Sequence, residues 1–172
     1  MAQPITRVRV TATFGKEKDY KELFRRIVLD YCKRFRVKVT RKPWDVSIVV
    51  ADYQGEDGST GITSVLPDEN KIIVQIQDPY YGNVKLPNNE ILNHTFMVVL
   101  CHEFVHCCQA LTGRTGIRAR VLMDEDLDDE LNYAAYFFDP EEIEARILDE
   151  YYVRLVPNSL REALGNRNKE NT

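Results

Sequence analysis

The sequence predicts a mixed α+β domain in which strands and one helix come first and helices alone follow. Three observations carry this. Apolar residues alternate with period two only in the first half of the chain, most clearly at Val8 and Val10 against Arg7 and Arg9. From residue 89 onward the apolar residues recur at helical spacing. The chain has 172 residues, which suits one domain with a real core and not two.

Residues 6–13 read as a half-buried strand. Residues 16–35 place Leu23, Phe24, Ile27, Val28 and Tyr31 on one face of an amphipathic helix. Residues 37–40 and 45–51 read as strands, separated by a turn at Lys42-Pro43. A loop rich in Gly, Ser and Asp covers 55–61. A hairpin follows, with residues 61–66 and 71–77 joined across Pro67-Asp68-Glu69-Asn70. Two prolines and a glycine make 78–87 an irregular connection. A long helix is expected over 89–111, with Asn88 or Asn89 as N-cap, Glu90 in the first turn and Gly113 as the stop. Two more helices, 126–138 and 141–156, are split at Asp139-Pro140, where Pro140 suits a first helical turn. Residues 165–172 are polar and read as a disordered tail, which leaves a single domain over 1–164.

Composition narrows the function classes. Lys+Arg number 23 against 27 Asp+Glu, a net charge of −4, which argues against wholesale nucleic-acid binding. The longest uninterrupted apolar run, 96–101, is too short to span a bilayer. Pro4, Arg7 and Arg9 break the N-terminal segment before a secretory leader could form. Three of the four cysteines crowd together as Cys101, Cys107 and Cys108, unlike a disulfide framework. A reduced, cytoplasmic protein without a membrane association is expected.

The informative stretch is His102-Glu103-Phe104-Val105-His106. Histidines four apart on a helix sit about 6 Å from each other at the backbone, so both rings can reach one metal ion. Glu103 lies beside that face and can take a proton from water without being a ligand. Residues 96–101 are apolar around the whole helix, so the histidines and Glu103 continue a buried element. Two imidazoles and a carboxylate there are costly to bury unless a cation compensates them.

A catalytic zinc site needs a third protein ligand. His94 is eight residues before His102, too far to share the ion, and the flanking cysteines point elsewhere round the helix. A carboxylate from the last helix is the best source. Glu144 stands three, four and seven residues before Ile147, Leu148 and Tyr151, within what reads as the inward face. Glu142, with Ala145, Arg146 and Asp149 at those spacings, is the fallback ligand if that helix is rotated. The competing role for Glu144 is a simple ion pair with an arginine such as Arg120. Tyr136 is the candidate for stabilising an oxyanion, against a plain core role beside Phe137 and Phe138.

With a downstream glutamate on a helix, the His102–His106 motif resembles the gluzincin branch of the zincin metallopeptidases. The spacing of Tyr136, Pro140, Glu142, Glu144 and Ala145 resembles small HExxH proteins encoded by bacteriophages and, more distantly, ImmA/IrrE-type peptidases. The resemblance covers roughly residues 96–151. It implies a small mixed sheet backing an active-site helix, with residues 61–66 or 71–77 as an edge strand over the cleft. It further implies one Zn²⁺ held by His102, His106 and Glu144, and hydrolysis of a protein or peptide substrate with Glu103 as base. Thermolysin-like gluzincins carry an Asp four residues after the ligand Glu, where this chain has Leu148, or Arg146 if Glu142 is the ligand. A replacement for that group is expected from Asp149 or a backbone carbonyl. SprT-like peptidases usually add a CxxC zinc ribbon, and no such pair is present. The rival class is a non-catalytic, zinc-stabilised viral structural or host-factor-binding protein.

Two charged runs have simpler readings. Residues 124–130 hold six acids in seven positions without the spacing of a calcium loop, and read as a solvated face. Residues 33–42 hold six basic residues in ten and read as the outer face of an edge strand, not a nucleic-acid surface. Asn93-His94-Thr95 fits a glycosylation pattern but falls inside a predicted helix.

Overall fold

The computed structural model describes residues 5–52, 59–80, 89–114 and 139–170. Among these, four strands form one sheet and four helices accompany it, the α+β class expected. The strands are β1 (Ile5–Ala12), β2 (Trp44–Ala51), β3 (Gly61–Leu66) and β4 (Lys71–Gln77). The helices are α1 (Glu17–Phe35), α2 (Asn89–Thr112), α3 (Pro140–Val153) and α4 (Asn158–Glu170). The predicted helix over 126–138, with Tyr136, Arg120 and the acidic run 124–130, lies outside the described residues.

The sheet order is β1-β2-β4-β3. β1 and β4 flank β2 in parallel, and β3 pairs antiparallel to β4 in the register Thr63↔Val74 and Leu66↔Lys71. The expected hairpin is therefore present, and it makes β3 an edge. Its turn closes through Glu69 N–H to the Leu66 carbonyl at 3.2 Å, with Asn70 in the left-handed region that Asn tolerates. Trp44, Val46, Ile48 and Val50 of β2 and Ile72, Val74 and Ile76 of β4 alternate onto one buried face. Against that face pack Leu23, Phe24, Ile27 and Tyr31 of α1 and Leu100, Phe104 and Leu111 of α2.

Three expectations change. Residues 37–40 form no strand. Instead the Thr40 N–H donates to the Leu111 carbonyl at 2.7 Å, satisfying one of the acceptors left open at the end of α2. That brings the basic run to a helix C-terminus with no basic residue in its own last turn, where the macrodipole favours cations. The chain end is helical to Glu170 and not a disordered tail from 165: Leu160 and Leu164 are buried, and Arg167 reaches the buried Asp78 at 2.6 Å. Thr13 Oγ1 and the Tyr80 N–H also donate to Asp78, at 2.7 and 2.9 Å, so α4 is tied to the sheet.

The third change concerns α3, which ends at Val153 and is rotated relative to its expected apolar ladder. Its Asp139 N-cap accepts from the Glu141 N–H at 2.7 Å, as the Asp139-Pro140 start implies. The buried face, however, is Glu141, Glu142, Ala145, Leu148, Asp149, Tyr152 and Val153, while Ile143 and Ile147 are 40% and 68% exposed. Period analysis turns apolar residues inward on the assumption that the facing surface is apolar. Here that surface is the polar part of α2.

α2 itself has a stretch, Glu90–Thr112, long and apolar enough to cross a membrane by length and composition, which the longest-run criterion missed. In this fold half of it is buried against the sheet and neighbouring helices.

Candidate metal centre

His102 and His106 stand one turn apart on α2, both partly buried, and their Nε2 atoms lie 3.1 Å from each other. Glu142 from the first turn of α3 faces them. Its Oε2 is 3.3 Å from His102 Nε2 and its Oε1 is 3.3 Å from His106 Nε2. One ligand atom from each of the three residues falls within a 4.8 Å group. Glu144 is not in that group. Its carboxylate accepts from the Tyr31 hydroxyl, from Gln109 Nε2 at 3.2 Å and from Arg114 at 2.5 Å. The structure thus exchanges the two glutamates: Glu142 faces the histidines, and Glu144 takes the ion pair, with Arg114 as its arginine. The rotation of α3 is the reason.

Hydrogen bonds behind the rings fix their tautomers. Asp149 Oδ2 lies 3.3 Å from His102 Nδ1, and a carboxylate can only accept, so that nitrogen carries the proton. Asp149 therefore fills the orienting role expected of it, from a position seven residues after Glu142. At His106, Nδ1 meets Gln109 Oε1 at 2.8 Å and donates to it in the same way. Both Nε2 lone pairs consequently point at each other and at Glu142. Glu142 Oε2 is buried and makes no hydrogen bond among the described residues, with the Arg146 guanidinium 3.9 Å away as an ion-pair partner. Two lone pairs and a carboxylate converging in a buried space repel unless a cation sits among them. The donor set and the unbonded oxygen fit a divalent metal ion.

The pKa shifts carry the same sign. A proton on Nε2 is attracted there as a metal cation would be: burial disfavours charge on His102, yet the Asp149 and Glu142 carboxylates override it and push its pKa up to about 9. His106 is raised as well, its burial outweighed by Glu142. Burial likewise opposes charge on Glu142, but the two histidines hold its carboxyl well below the usual carboxylate range. The cluster attracts positive charge.

No family of proteins, curated or structurally characterised, matches this chain: family models, curated proteins and solved structures each return nothing. The geometry stands by itself.

Glu103 is 6% exposed and sits outside the ligand group. The Thr63 hydroxyl of β3 lies 2.7 Å from its Oε2 and 3.0 Å from its backbone carbonyl, so one proton is shared between two acceptors. Burial raises the Glu103 carboxyl above its ordinary value, partly offset by His106, Thr63 and His102. An upward shift makes a carboxylate a stronger proton acceptor. The strand comes this close because of Gly61. A Cβ there would lie 2.6 Å from Val99 Cγ1 and 3.0 Å from Glu103 Oε1. Gly61→Ala is expected to push β3 and α2 apart at a cost of about 1–3 kcal/mol, read as a lower urea midpoint.

His94 pairs with Glu150 on the surface at 3.0 Å, and Cys101, Cys107 and Cys108 are buried thiols, as expected of non-ligands. Burial raises the pKa of all three cysteines, which keeps them protonated and poor ligands. Tyr136 lies outside the described residues. Gln109, Thr63 and Gly61 escaped the sequence reading. A signal for Gln109 was present, since it interrupts the apolar run Cys107-Cys108-Gln109-Ala110-Leu111 as the histidines interrupt theirs.

Proposed function

We propose that the chain is a zinc-dependent metallopeptidase of the zincin kind, with His102, His106 and Glu142 as ligands and Glu103 as general base. The observation that carries this is the convergence of two Nδ1-protonated histidines and a hydrogen-bond-free carboxylate oxygen beside a buried, non-ligating glutamate. Two imidazoles and one carboxylate are one of the donor sets of catalytic zinc, which leaves a position open for chemistry. Bound Zn²⁺ supplies Lewis acidity, lowering the pKa of water to about 7 and polarising a peptide carbonyl.

The chain's own residues do the rest. Glu103 accepts the proton of the attacking water and hands it to the departing amine nitrogen. Thr63, on the neighbouring strand, keeps that carboxylate in place through its 2.7 Å bond. Asp149 holds the His102 ring from behind. β3 has no partner strand on its outer side among the described residues, so its main chain offers an extended peptide a row of hydrogen bonds. A protein that used zinc for stability alone would gain nothing from burying Glu103 outside the ligand set.

The direct test is metal content by plasma mass spectrometry, joined to cleavage of an unfolded protein followed by mass spectrometry. About one zinc per chain, and cleavage abolished by a chelator and restored by zinc, is the expected result. A purified protein that neither contains nor takes up zinc overturns the proposal.

A further inference from the structure

The glutamate that the helical pattern turned inward is bonded to the site through one intermediary. Gln109 is 1% exposed, one turn beyond His106 on α2. Its Nε2 donates to the Glu141 carbonyl at 2.9 Å and to Glu144 Oε1 at 3.2 Å. Both of those partners are acceptors only, so the amide cannot be turned round: its Oε1 has to face His106 Nδ1, at 2.8 Å. Glu144 is in turn fixed by the Tyr31 hydroxyl and by Arg114, whose guanidinium lies 4.4 Å over the Phe35 ring. A chain of directed bonds therefore runs from α1 and the end of α2, through Glu144 and Gln109, to the second histidine.

We propose that Gln109 is a positioning residue that locks His106 in its Nδ1–H tautomer, with Glu144 and the Glu141 carbonyl holding the Gln109 amide the right way round. Glu141 precedes Glu142 directly, so the same amide also ties the ligand-bearing turn of α3 to α2. His102 and His106 are thus oriented by different chemistry, a carboxylate for one and a neutral amide for the other. A second carboxylate behind His106 would add negative charge to a buried cluster that already holds Glu142, Glu103 and Asp149. An amide orients the ring without that charge, and its donor side uses Glu144 as an anchor.

The inference rests on the metal-site reading for its consequence but not for its test. The variants are Gln109→Met, which keeps the side-chain length and removes both polar atoms, and Glu144→Gln, whose amide oxygen can still accept from Gln109. Nitrogen-15 spectra of the histidine rings, recorded without metal at a pH where both are neutral, read the tautomer directly. Zinc affinity is read by competition with a chromophoric chelator. Expected are a protonated His106 Nδ1 in the wild type, its loss in Gln109→Met, and zinc affinity about 10–100-fold lower in that variant. Glu144→Gln is expected within a few-fold of the wild type. A merely structural Gln109 would lower the melting temperature and leave the tautomer unchanged. A wild-type His106 protonated at Nε2, or an unchanged tautomer in Gln109→Met, overturns the inference whether or not zinc binds. Failure of the wild type to bind zinc, with the tautomers as described, overturns the metal reading alone.

Discussion

Glu142→Ala is expected to empty the metal site, with zinc falling from about one ion per chain to a trace and affinity dropping more than about 100-fold. The variant removes the carboxylate that, among the described residues, lies 3.3 Å from both histidine Nε2 atoms. It also leaves two neutral imidazoles whose lone pairs face each other, a poor site for a hard-to-hold divalent ion. Glu144→Ala is the informative partner, because the helical pattern alone would have assigned it the larger loss. Its removal strands the Tyr31 hydroxyl and the Arg114 guanidinium and frees one side of the Gln109 amide. The expected outcome is about 1–3 kcal/mol of lost stability together with a zinc affinity lowered less than in Glu142→Ala. Plasma mass spectrometry and chelator competition on the two proteins, side by side, decide the matter. A larger zinc loss in Glu144→Ala than in Glu142→Ala would show that the rotation of α3 is wrong.

The second large effect is on Glu103→Gln. Cleavage of an unfolded protein is expected to fall by about 10²–10⁴-fold, the usual contribution of a positioned general base, while the zinc content stays that of the wild type. The amide is close in shape to the carboxylate and can still accept from Thr63, so the fold around β3 should be retained. What is lost is the site for the proton, which a neutral amide cannot take from water. The pairing of readouts separates the two classes of protein considered. A peptidase keeps its metal and loses its activity. A protein that holds zinc only for stability cleaves nothing in the wild type and is indifferent to the substitution.

How much of this was legible in the sequence differs from element to element. The strands β1, β2, β3 and β4 and the helices α1 and α2 fall close to their expected bounds, because each carries a strong local period and clear ends. The basic segment 37–40 was misread because alternation of Val37 and Val39 with charged residues says only that one side is drier than the other. Whether that drier side meets a sheet or a helix end is a fact about the tertiary fold, and here Thr40 bonds the Leu111 carbonyl at the end of α2. The C-terminal turns were undervalued for a related reason. Arg167 looks like part of a polar tail until Asp78, far away in the chain, is placed beneath it.

By itself, the sequence determined that His102, Glu103 and His106 share a buried helix, since the apolar run before them and the i, i+4 spacing act within a single rigid element. It also narrowed the third carboxylate to one helical turn, Glu142 or Glu144. Only the tertiary structure decided between them. Helical periodicity assigns the inward face to the apolar stripe, and on α3 that stripe is split, with Ile143 and Ile147 exposed and Leu148 buried. The surface α3 meets is polar, made of His102, His106 and Gln109, and it pairs with Glu142, Asp149 and the Glu141 carbonyl. Burying matched polar groups in hydrogen-bonded register there outweighs burying two isoleucines, and no pattern within α3 records what its partner surface is made of.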